Sequence, residues 1–230
     1  MASILITGAS RGIGFELTRQ YVKAGERVFA CVRTPEKADA LTALAKASGG
    51  RLSIHAMDVG NTASIKAAGE AIGQVPIDIL INNAGIYGGP HQALGDLDEP
   101  AWHDAFQTMT IGPVRVLESF LPQLKKAKTP KVMTVTSQVA ASSWPTGGFY
   151  IYGSAKAALN RVMKSIAEDL KPDNVTVALV HPGWVKTDMG GENAEISVED
   201  SASGIRRVID RLTPAETGQF FKWNGAPHPW

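Results

Sequence analysis

Cysteine is almost missing from this chain of 230 residues: Cys31 stands alone, so no disulfide can close within it. The five histidines (His55, His91, His103, His181 and His228) are scattered, and no Cys/His cluster has zinc spacing, so no metal is expected. Excess charge of either sign is lacking too, since 23 Lys+Arg against 22 Asp+Glu leave a formal net charge of +1. That balance supplies no polybasic arm for nucleic acid or a membrane surface, and no acidic tail. No run of about eighteen or more apolar residues occurs, so no membrane-spanning segment is expected. Met1-Ala2-Ser3 passes straight into Ile4-Leu5-Ile6 and Gly8, without the charged and long apolar regions of a secretory leader. The expectation is a soluble, cytoplasmic protein with no nucleic-acid or membrane partner. Disorder is excluded by the 44% of residues that are hydrophobic, and the length suits one domain over residues 1–230.

What is present is an alternation. Short apolar runs at Ser3–Thr7, Arg27–Val32, Leu52–Met57, Ile77–Asn82, Lys131–Thr136, Thr176–His181 and Gln219–Lys222 read as strands. Helical patterns lie between them, at Gly12–Ala24, Glu36–Lys46, Thr62–Gln74, Glu99–Leu121, Tyr152–Leu170 and Val198–Leu212. Runs such as Ile77-Asp78-Ile79-Leu80-Ile81 are apolar on both sides, as strands covered on both faces are. The expected fold class is α/β: a single-domain, Rossmann-type, doubly wound parallel sheet of about seven strands with helices on both faces. Ligands in such sheets sit beyond the carboxyl ends of the strands. The tail Asn224–Trp230 reads as irregular, with its final Trp expected to dock.

The first strand runs into Thr7-Gly8-Ala9-Ser10-Arg11-Gly12-Ile13-Gly14 and then a helix. Gly8 permits the tight turn, Gly12 lets the backbone approach a pyrophosphate, and Gly14 allows close helix–strand contact. The spacing, G-x-x-x-G-x-G, is a variant of the dinucleotide fingerprint, and a plain glycine turn opening a helix is the alternative. After the second strand comes Ala30-Cys31-Val32-Arg33, with no acid until Glu36. An acid there would hold the ribose hydroxyls of NAD, whereas Arg33, helped by Arg11, suits a 2′-phosphate. NADP(H) is therefore expected over NAD(H), unless both arginines are merely solvated.

Tyr152 and Lys156 are four residues apart and share one helical face. An ammonium beside the phenol is expected to depress its pKa from about 10 toward neutrality, fitting Tyr152 for proton exchange with a substrate oxygen. Read alone, the pair is equally a surface pair on an amphipathic helix. Ser137, at the end of the fifth strand, can hydrogen-bond a carbonyl, or simply cap the turn there. Trp144, Phe149 and Tyr150 read either as an apolar substrate wall or as loop packing, and His181 as a structural histidine. Trp184 reads as a nicotinamide cover or as packing beneath a short lid, Gly190–Ile196, hinged at Gly190-Gly191.

Together these segments resemble the short-chain dehydrogenase/reductase family along the whole chain. The carriers are Thr7-Gly8-x3-Gly12-Ile13-Gly14, Asp58-Val59, Asn82-Asn83-Ala84-Gly85, the set Ser137, Tyr152 and Lys156, and His181-Pro182-Gly183-Trp184-Val185-Lys186-Thr187-Asp188-Met189. A narrower similarity, in Ile111–Arg115, Pro182–Gly191 and Gly218–Gly225, is to the C-factor and Sniffer-like carbonyl reductase branch. The resemblance implies Ser137, Tyr152 and Lys156 as catalytic residues. It implies cofactor contacts at Gly8, Ser10, Arg11, Gly12, Ile13, Gly14, Arg33, Asp58, Val59, Asn83, Ala84, Gly85, Tyr152, Lys156, Pro182, Val185 and Thr187. The implied activity is reversible NADPH-dependent reduction of an aldehyde or ketone to an alcohol, in a protein that can form a homodimer. One residue departs from the pattern: the family's asparagine three before the fourth-helix glycine is Met109 here, which cannot donate a hydrogen bond. A nucleotide-loaded sensor with vestigial catalysis is the alternative from another class, and an epimerase or dehydratase the third.

Overall fold

The computed structural model describes all 230 residues, Met1–Trp230. Nine strands form: β1 Ser3–Thr7, β2 Arg27–Val32, β3 Leu52–Ala56, β4 Ile79–Asn82, β5 Gln92–Ala93, β6 Asp96–Leu97, β7 Lys131–Val135, β8 Thr176–His181 and β9 Phe220–Lys222. The α-helices are α1 Gly12–Lys23, α2 Asp39–Ala47, α3 Thr62–Ile72, α4 Glu99–Phe106, α5 Gly112–Leu124, α6 Tyr150–Asp169 and α7 Val198–Arg211. Seven strands make one sheet in the order β3-β2-β1-β4-β7-β8-β9, and all its pairings are parallel. The expected doubly wound α/β architecture is the one the chain adopts. No helix is long and apolar enough to cross a membrane.

The all-apolar character of the strands has a direct cause. Ile4 and Ile6 of β1 face a core completed by Leu17 and Tyr21 of α1 and Ile205 and Ile209 of α7. Leu5, between them, faces the opposite core with Ile65 of α3, Phe120 of α5 and Leu159 and Met163 of α6. Side chains alternate along a strand, so both faces must be apolar when both are covered. Each such side chain fully buried stabilises the fold by roughly 1.5–3 kcal/mol.

Several boundaries differ from the sequence expectation, most by one to three residues, and three of the differences bear on the architecture. The stretch expected as one helix from Glu36 is a short 3₁₀ turn, Pro35–Lys37, followed by α2, because Ala38 breaks helical geometry at φ −105°, ψ 56°. The long helix expected over Glu99–Leu121 is α4, a π-helical turn Gln107–Ile111, then α5. Pro113 has no N–H for the helical ladder, and Gly112 lies so close to the Val59 carbonyl that a Cβ would sit 2.8 Å from its oxygen. β4 starts at Ile79; just before it, Asp78 donates its N–H to the Ser3 carbonyl and accepts the Lys131 N–H, both at 2.9 Å. The hairpin of β5 and β6 had no sequence signal. As expected, the tail docks: Trp230 lies 5.7 Å from the Phe220 ring, and His228 stacks on the same ring at 4.4 Å.

Candidate active site

β1 and β4 are neighbours, and the chain leaves them in opposite directions across the sheet. A crevice opens at that switch point. Its floor is a tight seam. Thr7 Oγ1 accepts the N–H groups of Asn83 (3.0 Å) and Ala84 (3.1 Å), while Asn83 Nδ2 donates to the carbonyls of Thr7 (3.0 Å) and Gly8 (3.1 Å). Gly8 turns at φ +66°, and a Cβ on it would lie 2.8 Å from Ala84 Cα. A Cβ on Gly14 would overlap the Gly8 carbonyl oxygen. Both glycines are therefore set by space. Arg11, the residue preceding α1, is extended and its side chain caps nothing, which leaves the N–H groups of the first turn directed at the crevice.

The crevice has a volume of about 490 Å³. At one end lie Arg33, Thr34 and Lys37, and at the other Tyr152 and Lys156. Between them it is lined by Gly8, Ser10, Gly12 and Ile13, by Asp58 and Val59, and by Asn83, Ala84 and Gly85. Pro182, Thr187 and Asp188 form the opposing rim. Lys37 was missed in the sequence because it read as part of a helix from Glu36, and Thr34 carried no signal of its own. Arg11 lines the crevice but pairs with Asp188, an ion pair that bridges the mouth from the glycine loop to the far rim. Both partners are about three-quarters exposed (74% and 75%), so salt screens the contact and little stability depends on it.

At the other end, Lys156 is 4% exposed and donates to the Val135 carbonyl at 2.8 Å. Burial lowers its pKa to about 8. Its Nζ is 6.0 Å from the centre of the Tyr152 ring. The expected depression of the Tyr152 pKa does not occur here. Burial raises it, the Ser137 hydroxyl pulls it down by hydrogen bonding, and Tyr87 adds to the rise. A half-buried phenol packed among side chains loses much of the solvation of its anion, and an ammonium turned toward a backbone carbonyl does not make up the loss. Ser137 Oγ also accepts the Val139 N–H at 3.3 Å, so the serine caps its turn as well as facing the phenol.

The family described as short chain dehydrogenase matches residues 2–196. The chain belongs to that family. C-signal of Myxococcus xanthus is 43% identical over 156 residues, which span 67% of this chain and 93% of that protein. Among solved structures, the carbonyl reductase Sniffer of D. melanogaster superposes with a TM-score of 0.94 at 32% identity, covering 100% of both chains. The NADPH-bound carbonyl reductase from chicken fatty liver gives 0.91 at 28% identity, covering 100% of this chain and 99% of the other. The first two belong to the branch that Pro182–Gly191 and Gly218–Gly225 resemble.

Within this short-chain dehydrogenase, several residues have different surroundings from those expected. Val185, expected at the cofactor, does not line the crevice; it is 4% exposed and bridges to Ile196. The bridge closes the segment into a stapled loop, with Lys186 N donating to the Ile196 carbonyl (2.9 Å) and Ile196 N to that of Trp184 (3.0 Å). Gly190 is no free hinge, because a Cβ there would overlap the Val185 carbonyl oxygen. Trp184 does not line the crevice; 47% exposed, it donates from Nε1 to the Gly190 carbonyl at the start of the loop, at 2.8 Å. Gly14 shapes the glycine turn from behind rather than lining the crevice. Met109 is fully buried in the π-helical turn, and a Cβ on Gly85 would lie 3.6 Å from its Sδ and 3.8 Å from Lys156 Nζ.

His181 is the structural histidine expected, and it supports the site. Its Nδ1 accepts the Gln138 N–H at 3.2 Å, holding the turn that carries Ser137. Burial, then the nearby His228 and Lys222, lowers its pKa to about 4. In the unfolded chain the ring titrates near 6.5, so between the two values the unfolded state binds the extra proton. Stability is then lost as pH falls from about 6.5 toward 4, by about 2–3 kcal/mol for this one group. Asparagine can accept the same N–H without titrating. We expect urea unfolding of His181→Asn at about pH 7 and 4.5 to show a smaller acid loss than the native chain; equal losses would exclude His181 as its source.

Proposed function

We propose that this oxidoreductase is an NADPH-dependent carbonyl reductase, reversible as an alcohol dehydrogenase, acting on a small aldehyde or ketone. The observation that carries the reading is one crevice with cations at one end and the Tyr152 phenol and the buried Lys156 amine at the other, the Ser137 hydroxyl being hydrogen-bonded to that phenol. Two similar structures, Sniffer and the NADPH-bound enzyme from chicken fatty liver, are carbonyl reductases, which supports it. A cytoplasmic setting, in which the buried Cys31 stays reduced, belongs to the same reading.

The crevice fits a nicotinamide dinucleotide. The N-terminal turn of α1 and the glycine backbone suit a pyrophosphate, and Asp58 and Val59 flank the adenosine side. Arg33 and Lys37 suit a 2′-phosphate, which an acid after β2 would repel. The bound dinucleotide supplies the hydride. Ser137 donates its hydroxyl hydrogen bond to the substrate carbonyl and orients it. Tyr152, kept neutral by burial, gives its proton to that oxygen as negative charge develops there, and solvent restores it. Lys156 holds one N–H on the Val135 carbonyl and keeps two more for the ribose and for the phenolate formed in the step.

Met109 favours a second reading, a sensor that binds the nucleotide without turning it over, because its thioether offers no donor beside Lys156.

The first experiment follows NADPH oxidation by the native protein and Tyr152→Phe over a panel of aldehydes, ketones and diketones. The phenol loss is expected to cost at least about a hundredfold in kcat while NADPH affinity holds. Tight NADPH binding without turnover in either protein would establish the sensor instead. Arg33→Ala combined with Lys37→Ala should raise the KM for NADPH by about tenfold or more and leave that for NADH within about twofold; equal changes for both would sink the 2′-phosphate assignment. Met109→Asn should raise turnover by about tenfold and alter its pH profile, and an unchanged profile would remove this position from the proton path.

A further inference from the structure

We propose that Gln92 is a positioning residue for this reaction: its carboxamide fastens the segment bearing Tyr87 to the first turn of α6 and so fixes the wall beside the Tyr152 phenol. The proposal rests on the reading of Tyr152 as proton donor.

α6 begins without a cap of its own. The residue before it, Phe149, has no side-chain oxygen and stands at φ +56°, left-handed backbone that is costly for an aromatic residue. The N–H groups of a first turn have no partner inside the helix. The Tyr152 N–H is instead taken by Gln92 Oε1 at 2.9 Å, from a residue 60 positions earlier in the chain. At the other end of the same amide, Nε2 donates to the carbonyls of Tyr87 (2.9 Å) and Gly89 (2.8 Å). The side chain is 6% exposed, and both amide hydrogens are used. Only one orientation of the amide works. Exchanging its oxygen and nitrogen would turn a donor on the Tyr152 N–H and an acceptor on two carbonyls.

The segment between these contacts presses on the same turn. Gly88 has φ +86°, and a Cβ there would lie 2.6 Å from Ile151 Cγ2. The result is a fixed aromatic corner, with the Tyr87 ring 6.0 Å from that of Tyr152 and 6.5 Å from that of Phe149, edge-on to the latter. Tyr87 is 42% exposed, so it presents a face that a substrate can meet. Gln92 touches neither cofactor crevice nor phenol oxygen. It acts through the backbone of the residue that carries the phenol and through the backbone of the residue that forms the wall.

The two ends of the amide can be tested separately. Gln92→Glu keeps an acceptor for the Tyr152 N–H but sets a carboxylate against two carbonyls. Gln92→Met keeps the length and loses both ends. For Gln92→Glu we expect the carbonyl KM to rise about tenfold with kcat within about twofold. For Gln92→Met we expect the same rise in KM together with a fall in kcat of about tenfold. NADPH affinity should stay within about twofold in both. Hydrogen exchange followed by mass spectrometry should quicken over residues 87–92 in both variants, and over 150–153 in Gln92→Met only. KM and kcat within about twofold of native in both variants would overturn the proposal, as would losses in KM, kcat and NADPH affinity that move in step. Should the native protein reduce no carbonyl, the reductase reading falls by itself. The exchange pattern then decides the role of Gln92, and native exchange over 150–153 in Gln92→Met refutes it.

Discussion

Everything at the crevice depends on how closely the ends of β1 and β4 approach each other. Thr7 and Asn83 trade side-chain and backbone hydrogen bonds across the seam, at 3.0–3.1 Å, and leave no space for a side chain on Gly8 or Gly14. These bonds give partners to the carbonyls of Thr7 and Gly8 and to the N–H groups of Asn83 and Ala84 where the two strands diverge. With the floor fixed, α1 must start where its free N–H groups meet whatever lies in the crevice. Cations beyond β2 and the rim after β8 then follow from strand order alone.

The opposite end runs on burial. Burial lowers the Lys156 pKa to about 8, so keeping its ammonium out of water costs stability, and one charge-assisted hydrogen bond, to the Val135 carbonyl, holds it in place. That is the pattern of a side chain retained for chemistry rather than for stability. Tyr152 shows the complementary effect: desolvation raises its pKa further above neutrality, so it stays the neutral acid required to give a proton to a carbonyl oxygen.

Much of this was legible in the sequence, for identifiable reasons. Strand positions showed because both faces of β1, β4 and β8 are covered, which forces continuous apolar runs. The glycine turn showed because space at Gly8 and Gly14 admits no other residue. The π-helical turn did not show, although Gly112-Pro113 carried the signal, since periodicity alone cannot tell one interrupted helix from a continuous one. The direction of the Tyr152 shift was misread because spacing along a helix reveals the neighbouring ammonium but not the solvent that folding removes. The inward turn of the Val185 side chain was hidden for a related reason: its motif fixes its position in the chain but not the bridge to Ile196. Gln92 had no signal at all, because its partners lie on two segments that only the fold brings together.

A common device underlies the placement of the reactive groups. Lys156 is aimed by the Val135 carbonyl, the Ser137 turn is held by His181 through the Gln138 N–H, and the start of α6 is held by Gln92 through the Tyr152 N–H. In each case a side chain binds the backbone of a distant segment, not another side chain. Backbone partners stay fixed when surface residues change, and each bond uses a group that the end of an element would otherwise leave unpaired. The strained start of α6 at Phe149 fits the same logic. A helix that began with its own serine or aspartate cap would satisfy its first turn locally and would have no use for the segment carrying Tyr87. Because it lacks that cap, the first turn of α6 takes its acceptor from the segment that also forms the wall beside the phenol.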